Sequence, residues 1–274
     1  MNALFVAYKP SGIGSNLFLS KLKRKYNSKK AGFSGTLDPF AKGALIIGFG
    51  SHTKLFRFLN KTPKTYRATL WLGAKSDSLD TEMIEYVEIL KEFSHAKIQE
   101  IVKSLEGKLE YEPPIFSAKR IDGQRAYDLA RAGKKFALNK INSTIYETKL
   151  LNYSHPFVTF EATVSEGTYI RSLGLIIAKK LDLACGSLSA LERLNEGQFF
   201  YEDEKPLEIK KSLNIPLNRY LGDSDNVKYG RVLALDDLEV KDDGYYWLDN
   251  GDNISVINIQ NNEVKYELGR IYTC

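Results

Sequence analysis

The feature that most constrains this fold is the order of its periodicities. Strand-like alternation and helix-like spacing follow one another without a regular strand–helix–strand beat. "KTYRATLWLG" (64–73) places Tyr66, Ala68, Leu70 and Leu72 on one face of a strand. "LFVAY" (4–8) and "ALIIGFG" (44–50) are short apolar runs of the kind that form buried strands, and "NSTIYETKLLNY" and "FVTFEATV" are two more strands. Between them lie helical patterns. Ser15 is placed to cap "NLFLSKLKRKY", with Leu17, Phe18 and Leu22 inward and Lys21, Arg24 and Lys25 outward, and Ser51 is placed to cap "HTKLFRFL". Ser94 begins a helix bearing Ile98, Ile101, Val102 and Leu105 that Gly107 can end. "EGTYIRSLGLIIAKKLD" is a turn entering an apolar helix, and "LSALERLNEGQF" returns to the sheet. So irregular a succession predicts an α+β fold with a mixed sheet, not a doubly wound one.

Two departures from this texture divide the chain. "YEPPIFSAKRIDGQRAYDLARAGKK" (111–135) carries two prolines, two glycines and little periodicity, so it is expected to form an exposed excursion. From Leu213 onward, "VLAL", "GYYWLD", "ISVINI" and "VKYELGRIY" are short strands separated by Asp-Asp-Gly, Asn-Gly and Asn-Asn turns. Residues 1–212 are therefore expected to form the main domain and 213–274 a small all-β one. That second unit is near the lower size limit for independent folding and is expected to lean on the first.

Composition excludes several functions. With 43% hydrophobic and 27% charged residues among 274, the chain has the balance of a soluble globular protein. No apolar run approaches the roughly 20 residues that span a bilayer, and the apolar run near the N-terminus lacks a basic segment before it, so the cytoplasm is the expected location. Cys185 and Cys274 have no metal-ligand spacing with His52, His95 or His155, which gives little support to a zinc enzyme or a Ser-His hydrolase. Charge is unevenly shared. Residues 213–274 hold 6 basic and 11 acidic side chains, a net of −5, whereas the first 212 hold 33 and 23, a net of +10. The basic runs "KLKRK" (21–25), "KK" (29–30), "KTPKTYR" (61–67) and "AKRIDGQR" (118–125) are interleaved with aromatic residues, a pattern that favours a groove for a polyanion.

One stretch, "GFSGTLDPFAKGALI" (32–46), concentrates the chemistry. Asp38 is stiffened by the proline after it, and Gly35 and Gly43 bracket the segment where the backbone needs unusual dihedrals or a close approach. A carboxylate presented from such a loop beside a basic, aromatic-rich surface suits a reactive group.

The string "GTLDPFAKGAL" resembles the catalytic signature of the TruB family of pseudouridine synthases, which isomerise the T-loop uridine at position 55 of tRNA. "YKPSGIGS", "YRATLWLGAKSDSLD", "PPIFSAKRIDGQRAYDLARAG", "SEGTYIRSL" and "LSALERL" resemble that family's other motifs in the same order, across about the first 200 residues. The resemblance implies a mixed-sheet pseudouridine synthase fold, no cofactor and no metal, and tRNA bound through its T-arm; a monomer is expected. It makes Asp38 the nucleophile, with attack at C1′, attack at C6 and a glycal route all open. It makes Arg171 the guanidinium that pairs with Asp38 and keeps it ionised, and Tyr66 the ring that stacks on a flipped uracil and takes or relays a proton. Tyr169 and Leu191 match pocket walls, and Lys9 with Pro10 matches a supporting motif. The 111–135 excursion is expected to order on the T-arm. Asp77 and Asp80 are read as turn residues.

The resemblance has two breaks. Family members usually carry His where Phe33 stands, so Phe33 is expected to fill space by stacking without bonding a phosphate or base. The short acidic C-terminal segment stands where the family commonly has a PUA-type RNA-binding domain, and is expected to be a reduced or diverged version of it. The competing reading is a non-enzymatic tRNA-binding or folding factor using the same groove; the joint presence of Asp38, Tyr66, Tyr169 and Arg171 argues against it. A two-carboxylate glycosidase finds no second acid of comparable context.

Overall fold

The computed structural model describes residues 1–117, 119–121, 123–134 and 136–273. A nine-stranded mixed sheet forms its centre, ordered Ala3–Lys9, Lys42–Phe49, Gly186–Glu196, Lys64–Leu72, Phe157–Val164, Ile141–Ser154 and Gly107–Tyr111. Ala31–Ser34 adds to Lys42–Phe49, and Phe199–Phe200 to Gly186–Glu196. Among the described residues its one parallel pairing is central: Glu192 and Arg193 lie opposite Lys42 and Gly43. The expected α+β class with a mixed sheet is what forms.

Alternation decides the faces. Tyr66, Ala68, Leu70 and Leu72 are all buried on one side of their strand. There they meet Ile98, Ile101 and Val102 of the helix His95–Lys103, and Leu173 and Ile177 of the helix Ile170–Lys180. Each such fully buried aliphatic side chain contributes about 1.5–3 kcal/mol of burial free energy. A second core joins Phe18 and Leu22 of the helix Ser15–Lys25 to Phe5, Ala7, Leu45 and Ile47. Leu17, expected to face inward with them, is instead exposed, because the 100° turn per residue carries it off the buried stripe.

The C-terminal residues form a separate four-stranded sheet from Leu217–Asn218, Gly244–Asp249, Asn253–Gln260 and Glu263–Tyr272. Its Ile254, Val256, Leu268 and Ile271 pack against Leu4, Val6, Ala44 and Ile46 of the main sheet. "VLAL" does not become a strand: Val232 is exposed, and Leu235–Asp237 is a turn of 3₁₀ helix. Ser51 likewise does not cap its helix, which is a 3₁₀ segment, Gly50–Phe58, entered from Phe49 without a side-chain cap. Ser94 does cap, accepting a hydrogen bond from the Lys97 N–H at 3.3 Å.

In the excursion, a two-residue hairpin, Arg120–Ile121 with Gln124–Arg125, leads into the helix Ala126–Arg131. Residues 118, 122 and 135 of that excursion, and Cys274, lie outside the described residues. Among the described residues, no helix is long and apolar enough to cross a membrane.

Candidate active site

Asp38 sits on a loop slung between two paired strands, Ala31–Ser34 and Lys42–Phe49. Its two glycines are required by geometry. Gly35 (φ +66°) and Gly43 (φ +115°) both lie in the left-handed region, and a Cβ on Gly43 would fall 2.2 Å from the Arg193 carbonyl oxygen. That contact follows from the central parallel pairing, which lays Gly43 directly against Arg193.

Arg193 then clamps both shoulders of the loop. Its Nε donates to the Ala44 carbonyl at 2.8 Å and its Nη2 to the Gly35 carbonyl at 3.1 Å. The charge is balanced inside the protein: Arg193 Nη2 lies 2.8 Å from Glu196 Oε1, and Glu196 Oε2 lies 3.2 Å from Lys64 Nζ, all three residues being buried. Sequence reasoning missed Arg193, since nothing in "LERLNEG" shows that its side chain turns back under a loop 149 to 158 residues earlier.

The far side of the loop is held from the N-terminal segment. Ser15 does not cap its helix, which is entered from Gly14. Its hydroxyl donates to the Leu37 carbonyl at 2.9 Å and accepts from the Leu37 N–H at 3.0 Å, one residue before Asp38. Lys9 is fully buried, and its ammonium donates to the carbonyls of Pro10 (2.9 Å), Ile13 (2.7 Å) and Pro39 (3.4 Å). Burial pushes that ammonium down to about 8, with Asp38 pulling it back up and Arg193 adding to the downward push. Ser15→Ala, which strips both hydrogen bonds from Leu37, is expected to cost about 1–3 kcal/mol in urea denaturation. It should also lower kcat more than it raises KM, because the loop is loosened while the cavity walls stay in place.

Arg171 faces Asp38 from the first turn of the helix Ile170–Lys180, the electrostatically unfavourable end for a cation. Four acceptors compensate. Its Nε is 2.9 Å from Asp38 Oδ2, and its Nη1 donates to the Ser78 carbonyl at 2.6 Å. Its Nη2 donates to the Phe116 carbonyl at 2.8 Å, and Asp80 Oδ2 lies 3.6 Å from Nη1. Asp80 is thus more than the turn residue expected from sequence. It does hold a turn, accepting from the Glu82 N–H (2.9 Å) and the Ser78 hydroxyl (2.5 Å), but it is buried and forms the second carboxylate on Arg171. The signal was present in "SDSLD": Ser76, Ser78 and Asp80, small polar residues at alternate positions, are all buried.

The resulting electrostatics differ from expectation in one respect. The Asp38 side chain keeps about a third of its surface open (36%) with protein around the remainder. Burial raises its carboxyl above the ordinary carboxylate value of 3.8; Arg171 opposes this most, Asp80 reinforces it, and Lys9 opposes it further. Arg171 therefore offsets only part of the desolvation, so Asp38 holds its proton to higher pH than a free carboxyl.

Two cavities meet at this ion pair. One, of about 310 Å³, is lined by Asp38, Tyr66, Tyr169, Arg171, Leu191 and Lys64. The other, of about 390 Å³, shares Asp38 and Arg171 and adds Phe33, Arg120, Arg125 and Tyr127, so it lies under the excursion. Five of the seven sequence-derived site residues thus surround one cavity and Phe33 borders its neighbour. Lys9 lines neither, and reaches the site through Pro39. The first cavity is large enough for a nucleobase with its ribose and is walled by rings, an aliphatic group and a paired carboxylate.

The backbone superimposes on the archaeal box H/ACA sRNP Nop10–Cbf5 complex with a TM-score of 0.68 at 18% identity, covering 99% of this chain and 86% of the other. A TM-score of 0.66 relates it to an H/ACA RNP bound to a substrate RNA containing 2′-deoxyuridine, also at 18% identity, with 99% of this chain and 85% of that one covered. Residues 23–170 match the N-terminal domain model of TruB family pseudouridylate synthases. A tRNA pseudouridine synthase B of Sulfurimonas denitrificans is 75% identical over 99% of both chains, and one of Campylobacter jejuni strain RM1221 is 48% identical over the full length of both. The chain belongs to the TruB family of pseudouridylate synthases.

Proposed function

We propose that this enzyme isomerises the T-loop uridine of tRNA, position 55, to pseudouridine, with Asp38 as nucleophile and no cofactor. The observation that carries the reading is the Asp38–Arg171 pair, at 2.9 Å, set in a cavity walled by Tyr66 and Leu191. The overall change breaks the N1–C1′ bond, turns the uracil and joins C5 to C1′; C5 loses a proton and N1 gains one. Nothing is oxidised and no group leaves, so a carboxylate able to form and release a bond suffices.

The uridine must leave its stack to reach Asp38, at a cost of about a few kcal/mol. Tyr66, Tyr169 and Leu191 would hold the extruded ring, Phe33 would fill space by stacking beside the neighbouring cavity, and Lys9 would brace the loop. The basic residues of the first 212 positions would neutralise T-arm phosphates, with the 111–135 excursion closing over the arm. In this reading residues 1–212 are the catalytic domain and 213–274 a reduced, PUA-like unit with a structural role. The enzyme acts as a monomer in the cytoplasm.

Release of tritium from C5-labelled uridine in tRNA tests the reaction. Tyr66→Phe keeps the stacking face and removes the hydroxyl, so tritium release should slow by about a hundredfold if that hydroxyl takes or relays the proton. An unimpaired Tyr66→Phe enzyme would remove the proton role from Tyr66.

A further inference from the structure

The cavity around Asp38 carries a charge arrangement that the isomerisation itself does not use. Lys64 is nearly buried, its side chain 7% exposed, and its inner side is satisfied by the fully buried Glu196 at 3.2 Å. Its outer side faces Glu166, on the turn Ser165–Thr168 that Thr168 closes by donating its hydroxyl to the Ser165 carbonyl at 2.9 Å. Glu166 Oε1 lies 3.7 Å from Lys64 Nζ and 3.8 Å from Lys61 Nζ. Two sheltered lysines therefore share one carboxylate oxygen whose side chain is itself 60% exposed. Both separations exceed the 2.7–3.2 Å of a formed N–H···O bond. At these distances the carboxylate faces the two ammonium groups as a charge, beside the cavity that it lines.

A phosphodiester fits this arrangement better than the carboxylate does, because its two non-bridging oxygens can take a charge-assisted bond from each ammonium. Position supports the same ligand. Lys64 and Tyr66 lie on one face of the same strand, two residues and about 7 Å apart, a separation comparable to that between a base and the phosphate of its own nucleotide. We propose that Glu166 is a placeholder for a backbone phosphate of the extruded nucleotide: it neutralises Lys61 and Lys64 in the free enzyme and gives way when RNA enters. The proposal rests on the reading of this cavity as the nucleotide site. It makes Glu166 a residue that sets substrate affinity by competition, and gives Lys61 and the outer side of Lys64 a counter-charge before RNA enters.

Equilibrium binding of a synthetic T-arm stem-loop RNA, with all proteins carrying Asp38→Asn to silence turnover, tests it. Glu166→Gln should tighten Kd by about threefold to fivefold, the scale of one partly exposed ion pair. Glu100→Gln, which removes the same charge from an exposed position of the helix His95–Lys103, should change Kd by less than about 1.5-fold. With Lys61→Gln added, the gain from Glu166→Gln should shrink but stay above the Glu100 level, because Lys64 still faces Glu166 at 3.7 Å. Weaker or unchanged binding by Glu166→Gln, or an equal gain with Lys61 removed, would overturn the placeholder role while leaving the site reading intact. Absence of saturable RNA binding by the Asp38→Asn protein with Glu166 in place would overturn both.

Discussion

Asp38→Asn is expected to lower turnover by about 10⁴-fold or more, and to make the protein more stable at pH above the raised value of the Asp38 carboxyl. The first effect follows from the proposed chemistry, since an amide of the same shape cannot supply the nucleophilic electron pair. The second follows from the site's electrostatics. Burial raises the Asp38 carboxyl above its unfolded value against the pull of Arg171. A carboxyl so shifted favours the folded state at low pH, and that contribution is lost as pH rises through the folded value. Above the folded value the wild-type chain therefore carries the whole penalty of an ionised, largely enclosed Asp38, and the neutral amide removes it. Thermal melts across a pH series should place Asp38→Asn above wild type at the alkaline end, with the gap closing as the pH falls through the raised value. A gap independent of pH, or of the opposite sign, would contradict the balance described. Stability sacrificed at a reactive group is common where function needs a charge in an unfavourable place.

Arg171→Met should act in the opposite direction on stability. The guanidinium serves Asp38, Asp80 and the carbonyls of Ser78 and Phe116 at once, from a site that is nearly fully buried. Its removal takes the guanidinium from Asp38 and from two carbonyl groups and leaves Asp80 with the Glu82 N–H and the Ser78 hydroxyl; loss of one partner from a buried ion pair costs up to about 3–5 kcal/mol. Without the group that most opposes desolvation, Asp38 should hold its proton to still higher pH, so the acid limb of kcat/KM should move towards alkaline pH. Arg171→Lys keeps the charge but cannot reach all four acceptors from one nitrogen, and should fall between wild type and Met on both measures. An acid limb that stays in place in Arg171→Met would separate Arg171 from the ionisation of Asp38.

What the sequence disclosed and what it withheld divide along physical lines. Tyr66, Ala68, Leu70 and Leu72 were legible because period-two burial is written locally, and Ser94 because its cap bonds a residue three positions away. Asp38 stood out through its proline and its flanking glycines, both of which prove to have positive φ. Ser15 reads locally as a cap but performs a distant role, bonding Leu37, because a serine hydroxyl serves either partner equally well. Asp80 and Arg193 were missed for a related reason: each works on a residue brought near only by the fold, Arg171 in the first case and the loop 35–44 in the second. The short apolar string "VLAL" has strand composition but runs as irregular chain into the 3₁₀ turn Leu235–Asp237, with Leu233 buried in the C-terminal core.

Pseudouridine mapping of an unmodified tRNA transcript after incubation with the pure protein tests the central claim most directly. A single new pseudouridine at the T-loop uridine, formed by wild type and absent with Asp38→Asn, is the expected result. Pseudouridine formed at that position by Asp38→Asn, or formed by wild type elsewhere while the T-loop uridine stays unchanged, would contradict the account.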